Sequence, residues 1–179
     1  MLNNELFTLY VDGSCLGNQN VDGNTPAGWG VVIITGDTGL GRGTGDVAEE
    51  LFGKVITKPD DENYLGAEVG SNNTGELSAF AHALRWCLKE GGEGEIIIRT
   101  DSTYAGNMAD GSWKAKANLA LVSFVQDLWV EVGSMRPLSW NHVKAHRGHR
   151  WNERADHLAI RAASGENPKP LSFWKPGQR

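Results

Sequence analysis

The sequence has few cysteines, no long apolar run and no excess of positive charge, and each absence excludes a class of protein. Its two cysteines, Cys15 and Cys87, do not make a disulfide framework, so we expect reduced thiols and a cytoplasmic location. No apolar stretch approaches the roughly 18 residues of a membrane span, and the N-terminus lacks the basic flank of a secretory signal. We therefore expect no membrane association.

The net charge of −5 argues against a protein that coats nucleic acid without specificity, but the charge is unevenly distributed. Residues 136–179 carry +6 and residues 1–135 carry −11. Two interpretations remain open: an acidic centre beside a basic surface that faces an anionic partner, or a solvated basic helix and tail. The cations of the basic segment are Arg136, Lys144, Arg147, Arg150, Arg154, Arg161, Lys169, Lys175 and Arg179.

The length, with 40% hydrophobic and 22% charged residues, is typical of one globular domain with a real core. We expect this domain to span residues 1–164, followed by a C-terminal tail at 165–179. Apolar periodicity and turn residues predict strands at 7–12, 27–35, 50–57, 95–100 and 136–143, and helices at 73–90, 102–108, 117–132 and 153–163. The first three strands predict an antiparallel meander, and residues 58–72 form a long polar connection.

Two aspartates end predicted strands. Asp12 follows the strand-like run Phe7–Val11 and precedes Gly13, a pair that is typical of a tight turn. Asp101 ends an apolar strand of the kind that is buried on both faces, and it could simply cap the short helix that follows. Because ligand sites of α/β sheets lie at the carboxyl ends of strands, the alternative interpretation brings these two carboxylates together.

Two further acids lie on predicted helices. Glu76 stands three residues after Asn73, the spacing of a capping box, but it also shares a helix face with Phe80, where an unpaired buried charge is costly. Asp156 is the lone charge on an apolar stripe of the last helix, whose expected N-cap is Asn152. Four converging carboxylates would repel one another, which predicts one or two bound cations. Ligand sets made only of oxygen select hard Mg²⁺ or Mn²⁺ over zinc.

Four motifs resemble, in this order, the type 1 ribonuclease H family: YVDGSCLGN, SNNTGELSA, IIIRTDSTY and WNHVKAHRGHRWNERADHLA. The resemblance implies an α/β fold with a five-stranded mixed sheet, in which three antiparallel strands are followed by two strands parallel to the first, flanked by helices. It also implies an endoribonuclease that hydrolyses the RNA strand of RNA/DNA hybrids by a two-metal-ion mechanism, giving 5′-phosphate and 3′-hydroxyl ends.

The resemblance also implies roles for individual residues. The metal-binding and catalytic carboxylates would be Asp12, Glu76, Asp101 and Asp156, holding two Mg²⁺ ions for which Mn²⁺ substitutes. His146 resembles a mobile histidine that assists proton transfer or product release, tasks that suit a side chain whose charge changes near physiological pH. The implied substrate contacts are Cys15, Asn18 and Asn72 to the RNA strand, Ser71 to a DNA phosphate, Trp113 in the DNA-strand channel, and Asn152 near the active site.

The sequence departs from well-known bacterial members of that family after Trp113. Only Lys114 and Lys116 supply positive charge before the next helix, so the lysine-rich handle loop is absent and we expect weaker, more salt-sensitive hybrid binding. The basic end of the chain could compensate through Lys169, Lys175 and Arg179. No hybrid-binding domain precedes residue 6, which predicts a stand-alone, monomeric catalytic domain without an obligate protein partner.

Two other functions remain open from the sequence. A different nuclease of the same fold, such as an exonuclease with four acids, would space its acidic motifs differently and would leave the DGSCLGN loop without a role. A non-catalytic module that binds hybrids or other partners would keep the fold. An intact set of four acids together with His146 argues against such a relic.

Overall fold

The computed structural model describes residues 4–177, which form five strands and four helices. Arg179, one cation of the predicted basic end, lies outside the described residues. In chain order the elements are β1 (Phe7–Cys15), β2 (Ala27–Thr35), β3 (Asp46–Lys54), α1 (Asn72–Glu90), β4 (Ile96–Thr100), α2 (Thr103–Ala109), α3 (Leu119–Met135), β5 (Leu138–His142) and α4 (Arg150–Ser164). None of the helices in this part of the chain has the length and apolar character needed to cross a bilayer.

The five strands form one mixed sheet in the order β3-β2-β1-β4-β5, which confirms the predicted fold class. The pairs β1–β2 and β2–β3 are antiparallel, whereas β4 pairs parallel with β1 and β5 pairs parallel with β4. Strand β1 is therefore central, and its carboxyl end lies beside that of β4, where Val11 pairs with Thr100.

Alternation along β1 divides the core into two layers, because successive side chains of a strand point to opposite faces. Leu9 and Val11 belong to the larger apolar cluster, which includes the buried faces of α1 and α3. Tyr10 belongs to a smaller cluster with Trp151 and Leu158 of α4. The sheet is thus covered on both faces, and α4 alone contributes helical residues to the second cluster.

Three local expectations about the first strands and helix are wrong. Asp12–Gly13 is not a turn: β1 continues to Cys15, because Asp12 pairs with Gly30 and Gly13 with Trp29. Strand β3 lies four residues before its predicted start, since it is set by pairing with β2 around a bulge between Ile33 and Ile34 rather than by its own apolar residues. Helix α1 begins one residue early, at Asn72.

The predicted helix caps also differ from those observed. Ser71 caps α1 in a capping box with Thr74, so Glu76 is free of any capping role. Ser102, and not Asp101, caps α2 by accepting a hydrogen bond from Ala105 N. Helix α4 begins at Arg150 with His149 as its N-cap, and Asn152, the predicted cap, lies inside the first turn.

The C-terminal tail packs back onto α4. Trp174 is buried, with its ring 5.3 Å from the Arg154 guanidinium carbon and 6.0 Å from the His157 ring. Lys169 links the two segments through its backbone, donating from N to His157 Nε2 over 2.9 Å and accepting at O from Arg154. Phe173, the residue before Trp174, remains exposed.

Candidate active site

The contact between β1 and α1 is made by glycines, which brings two acidic residues together. A Cβ added to Gly13 would lie 2.1 Å from Glu76 N and 2.7 Å from Gly75 Cα, distances that no side chain tolerates. The two backbones therefore touch one residue after Asp12. As a result, Glu76, in the second turn of α1, reaches the carboxylate of Asp12.

A second glycine lets α4 approach the same place. Gly30 is the β2 residue that pairs with Asp12, and a Cβ there would lie 2.6 Å from Ala155 O and 2.8 Å from Leu158 Cβ. Because the helix backbone lies directly on β2 at this point, Asp156 lines the same cleft as Asp12.

The remaining acid is positioned by strand pairing. Asp101 follows Thr100, the residue of β4 that pairs with Val11, so it emerges beside Asp12 at the carboxyl ends of two parallel strands. Asn152 Nδ2 donates a hydrogen bond to Asp101 Oδ2 over 3.3 Å, which ties this acid to the first turn of α4.

Three of the predicted carboxylates form a compact group. Ligand oxygens of Asp12, Glu76 and Asp101 all lie within 4.8 Å of one another. Asp12 is only 3% exposed and Glu76 8%, and Glu76 Oε2 finds no hydrogen-bond partner among residues 4–177. With Asp156, these side chains line a cleft of about 380 Å³. A buried carboxylate oxygen without a donor is the feature that a bound cation would satisfy.

The acids also oppose one another's ionisation. Burial, and then the charges of the other three acids, raise the pKa of Asp12 well above its ordinary value. Burial, followed by the charge of Asp101, raises the pKa of Glu76 from 4.5 to about 8. Burial likewise raises the pKa of Asp101, although the hydrogen bond from Asn152 lowers it in part. Only a positive partner would stabilise all of these groups in the charged form.

His146 lies at the mouth of the cleft, on the loop between β5 and α4. It is exposed and has a φ of 55°, a left-handed conformation that is uncommon for residues other than glycine. It lines the same cleft as Asp12, Glu76 and Asp101, so the ring lies beside the acidic group.

The predicted contacts to the RNA strand lie around this cleft. Cys15 and Asn72 line it directly, and Asn18 Oδ1 accepts a hydrogen bond from Asn72 N over 3.1 Å. Ser71 is adjacent, but its hydroxyl accepts from Thr74 N as the N-cap of α1. Any contact that Ser71 makes to a phosphate must therefore share an oxygen with the helix cap.

Trp113 is the predicted contact that lies apart from the acidic cleft. Its side chain is 47% exposed and lines a separate groove of about 570 Å³ with Tyr104, Lys114 and Lys116. Asn73, at the start of α1, also lines this groove and lies next to Asn72 of the acidic cleft. The two sites therefore adjoin each other through the N-terminus of α1.

A network behind the cleft was not predicted from the sequence. His149 Nδ1 accepts from Asn152 N over 3.4 Å, and its Nε2 lies 3.2 Å from Arg99 Nη1. Arg99 also donates to Tyr10 OH over 2.7 Å, and Tyr10 donates to Asp37. The only feature of the sequence that could have indicated this network is His149, the second histidine of the HRGH motif. Its partners, Arg99 and Tyr10, come from two distant strands.

The strand order, with carboxylates at the ends of β1 and β4 and acids from the two covering helices, defines the ribonuclease H-like class of α/β proteins. The family model for RNase H matches residues 4–164. Ribonuclease H from Cyanothece sp. is 30% identical, over 94% of this chain and 96% of its own length. Ribonuclease HI from Neisseria meningitidis is 33% identical, over 90% and 97% respectively. The chain belongs to the RNase H family, as a type 1 member.

Solved structures confirm the fold. RNase H1 from the halophilic archaeon Halobacterium salinarum superposes with a TM-score of 0.63 at 22% identity, covering 89% of this chain and 98% of the other. LC11-RNase H1, solved in complex with an RNA/DNA hybrid, also superposes with a TM-score of 0.63 at 22% identity, covering 89% and 97%.

Proposed function

We infer that this protein is a metal-dependent endoribonuclease that hydrolyses the RNA strand of RNA/DNA hybrids, leaving 5′-phosphate and 3′-hydroxyl ends. Membership of the RNase H family supports the reaction, and LC11-RNase H1, which shares the fold, was solved with such a hybrid. The observation that carries the inference is the compact group of Asp12, Glu76 and Asp101, whose ligand oxygens lie within 4.8 Å of one another.

The donor set fits hard divalent cations. All four side chains offer carboxylate oxygen alone, and one buried oxygen of Glu76 lacks a donor within residues 4–177. We propose that Asp12, Glu76, Asp101 and Asp156 hold two Mg²⁺ ions, for which Mn²⁺ can substitute. When bound, such ions activate a water molecule and stabilise the leaving 3′-oxygen of the phosphodiester.

The remaining residues have supporting roles in this proposal. Asn152 orients the Asp101 carboxylate through its hydrogen bond, so that the oxygens of Asp101 keep one direction. His146, at the mouth of the cleft, exchanges a proton during the reaction or assists release of the product.

Recognition of the RNA strand is assigned to the cleft wall formed by the end of β1 and the start of α1. Cys15, Asn18 and Asn72 lie there, and their polar atoms suit contacts to 2′-hydroxyl groups, which distinguish RNA from DNA. Trp113, with Lys114 and Lys116, forms the adjoining groove that we assign to the DNA strand.

All four acids come from one chain, which supports a monomeric enzyme without an obligate partner. We propose residues 1–164 as the catalytic domain and 165–179 as a tail anchored by Trp174. Cys15 and Cys87 are free thiols, which supports a cytoplasmic location.

The decisive experiment is cleavage of a hybrid with end-labelled RNA by the wild-type protein, Asp12→Asn and Asp101→Asn in the presence of Mg²⁺. We expect cleavage by the wild type and loss of at least a thousandfold in each variant, since each removes a charged ligand. The control is Asp61→Asn, an exposed acid of the 58–72 connection. Near-wild-type cleavage by Asp12→Asn or Asp101→Asn would contradict the assignment of the metal site.

Single-stranded and double-stranded RNA of the same sequence test the substrate class in the same assay. Preferential cleavage of the hybrid is the expected result. A non-catalytic module would instead bind the hybrid and leave it intact at every Mg²⁺ and Mn²⁺ concentration.

A further inference from the structure

The cations of the basic segment, residues 136–179, differ in their surroundings. Three of its cations are used in ion pairs within the fold: Arg136 with Glu90 at 2.6 Å, Arg154 with Glu50 at 2.5 Å, and Arg161 with Glu166 at 2.9 Å. The first two pairs join separate elements of the domain, and the third lies at the C-terminal end of α4. They therefore leave a smaller group of cations available for an external partner.

Three other cations of this segment lie on the loop before α4 and at the first residue of α4. Residues 144–150 contain Lys144, Arg147 and Arg150 and no acid, and Arg42 joins them from the loop between β2 and β3. We call these four residues the basic rim. All four are exposed, and their charged groups form no hydrogen bond or ion pair with any residue in the range 4–177.

The rim is held in place by the backbone. Arg150 N donates to Arg42 O over 2.7 Å, which fixes the two loops to each other. Trp151 Nε1 donates to Thr44 O over 2.8 Å, and the Arg150 guanidinium lies over the Trp151 ring at 4.5 Å. Arg42 Nη1 lies 3.4 Å from the point that a Cβ on Gly148 would occupy. The guanidinium of Arg42 thus sits against the loop that carries His146.

The acids near the rim, Asp37 and Glu153, are partly engaged within the fold. Asp37 accepts hydrogen bonds from Tyr10 and Thr44, and Oε2 of Glu153 is buried. The four rim side chains carry a formal charge of +4 beside the acidic cleft. Gly148 is two residues from His146, a span of at most about 7 Å, which corresponds to roughly two nucleotides at ~3.4 Å rise per strand.

We propose that the basic rim binds the phosphate backbone of the RNA/DNA hybrid about two to four nucleotides from the cut, on the side of the cleft away from Trp113. The inference rests on the proposed hybrid cleavage and adds a second electrostatic contact to it. It provides the positive charge that the short segment after Trp113 lacks, and it does so with a preformed surface.

The test compares two double variants that each remove two positive charges. Arg42→Gln/Arg147→Gln changes the rim and leaves Arg150, which stacks on Trp151, intact. Arg85→Gln/Lys89→Gln changes the distant end of α1, where Lys89 lies about 20 Å along the helix from Glu76 at ~1.5 Å per residue. Binding of a fluorescent hybrid is measured by anisotropy without divalent cation, from 50 to 300 mM salt, and KM is measured with Mg²⁺.

We expect the rim variant to lower the slope of log affinity against log salt by about two, because each lost phosphate contact removes close to one released counterion. KM at moderate salt should rise about tenfold. The control variant should shift both quantities far less. Equal slopes for the two variants, with hybrids still cleaved by the wild type, would overturn the rim proposal alone. A wild type that binds but never cleaves hybrids would overturn the proposed function instead.

Discussion

Asn152 Nδ2 lies 3.3 Å from Asp101 Oδ2, so the first turn of α4 is joined to the end of β4 by a hydrogen bond between a buried amide and an acid of the candidate active site. Asn152 is itself held at the start of the helix, where its backbone N donates to the His149 N-cap. The orientation of Asp101, a proposed metal ligand, therefore depends on Asn152 and His149, which would not contact the metal.

Asn152→Ala should therefore weaken the site without removing any ligand. We expect a loss of about 10- to 100-fold in activity at limiting Mg²⁺, with partial recovery at high Mg²⁺, because partners of metal ligands typically contribute that much. Activity is measured across a Mg²⁺ titration, with Asn167→Ala, an exposed asparagine beyond the other end of α4, as the control. An unchanged Mg²⁺ requirement would show that the bond has no orienting role.

Glu76→Gln should stabilise the metal-free protein while it impairs cleavage. A buried acid whose pKa is raised from 4.5 to about 8 costs folding free energy as the pH rises between those values, since the folded state holds a proton that the unfolded state releases. We expect a gain of about 1–3 kcal/mol at pH 8 and little gain at pH 5. Urea unfolding in EDTA at the two pH values measures this. A variant less stable than wild type at pH 8 would contradict the predicted repulsion.

The stack of His82 on Trp29 should make the protein sensitive to acid. The rings lie 3.7 Å apart at 8°, and burial, with the Arg85 charge, lowers the pKa of His82 from 6.5 to about 4. Between these values the unfolded state binds a proton that the folded state does not, so stability falls as the pH falls. His82→Phe should keep a stacked ring and remove up to about 3 kcal/mol of this loss. Identical slopes of unfolding free energy against pH for the wild type and His82→Phe, between pH 7 and 4, would refute this prediction.

Trp174→Ala should destabilise the domain by about 3 kcal/mol, because the ring is buried against Arg154 and His157 of α4. The neighbouring Phe173 is 77% exposed and provides a matched control, since Phe173→Ala should change stability by less than about 0.5 kcal/mol. Chemical unfolding with urea measures both. Equal effects of the two substitutions would mean that the tail does not stabilise α4.

The order of the elements could be predicted because apolar periodicity and turn residues are local properties of the sequence. Asp12 shows a feature that local properties could not predict. Asp-Gly favours a turn on its own, but pairing of Asp12 with Gly30 continues the strand, and pairing partners are not visible from one segment. The edge strand β3 was misplaced for a related reason, since Asp46, Ala48 and Glu49 at its start are exposed and show no apolar run.

The acidic site was predicted better than its supporting residues. The ordinary explanation for Glu76, a capping box with Asn73, depended on where α1 begins, and Ser71 with Thr74 takes that role instead. His149 was missed because a histidine is an unusual N-cap and because Arg99 and Tyr10, its partners, are 50 and 139 residues away in the chain. Long-range polar networks of this kind have no periodic pattern that a sequence could display.

The glycine contacts at Gly13 and Gly30 mean that the width of the acidic cleft is a main-chain dimension. Gly13 and Gly30 contribute no side chain where β1 meets α1 and β2 meets α4, so a larger residue at either position would push the helix and its acid away from the sheet. Adaptation of this enzyme to a different ion must therefore proceed through the acids themselves, by exchanging aspartate and glutamate. The spacing of the acids is thus set by these two main-chain contacts, and substitutions elsewhere in the core leave it unchanged.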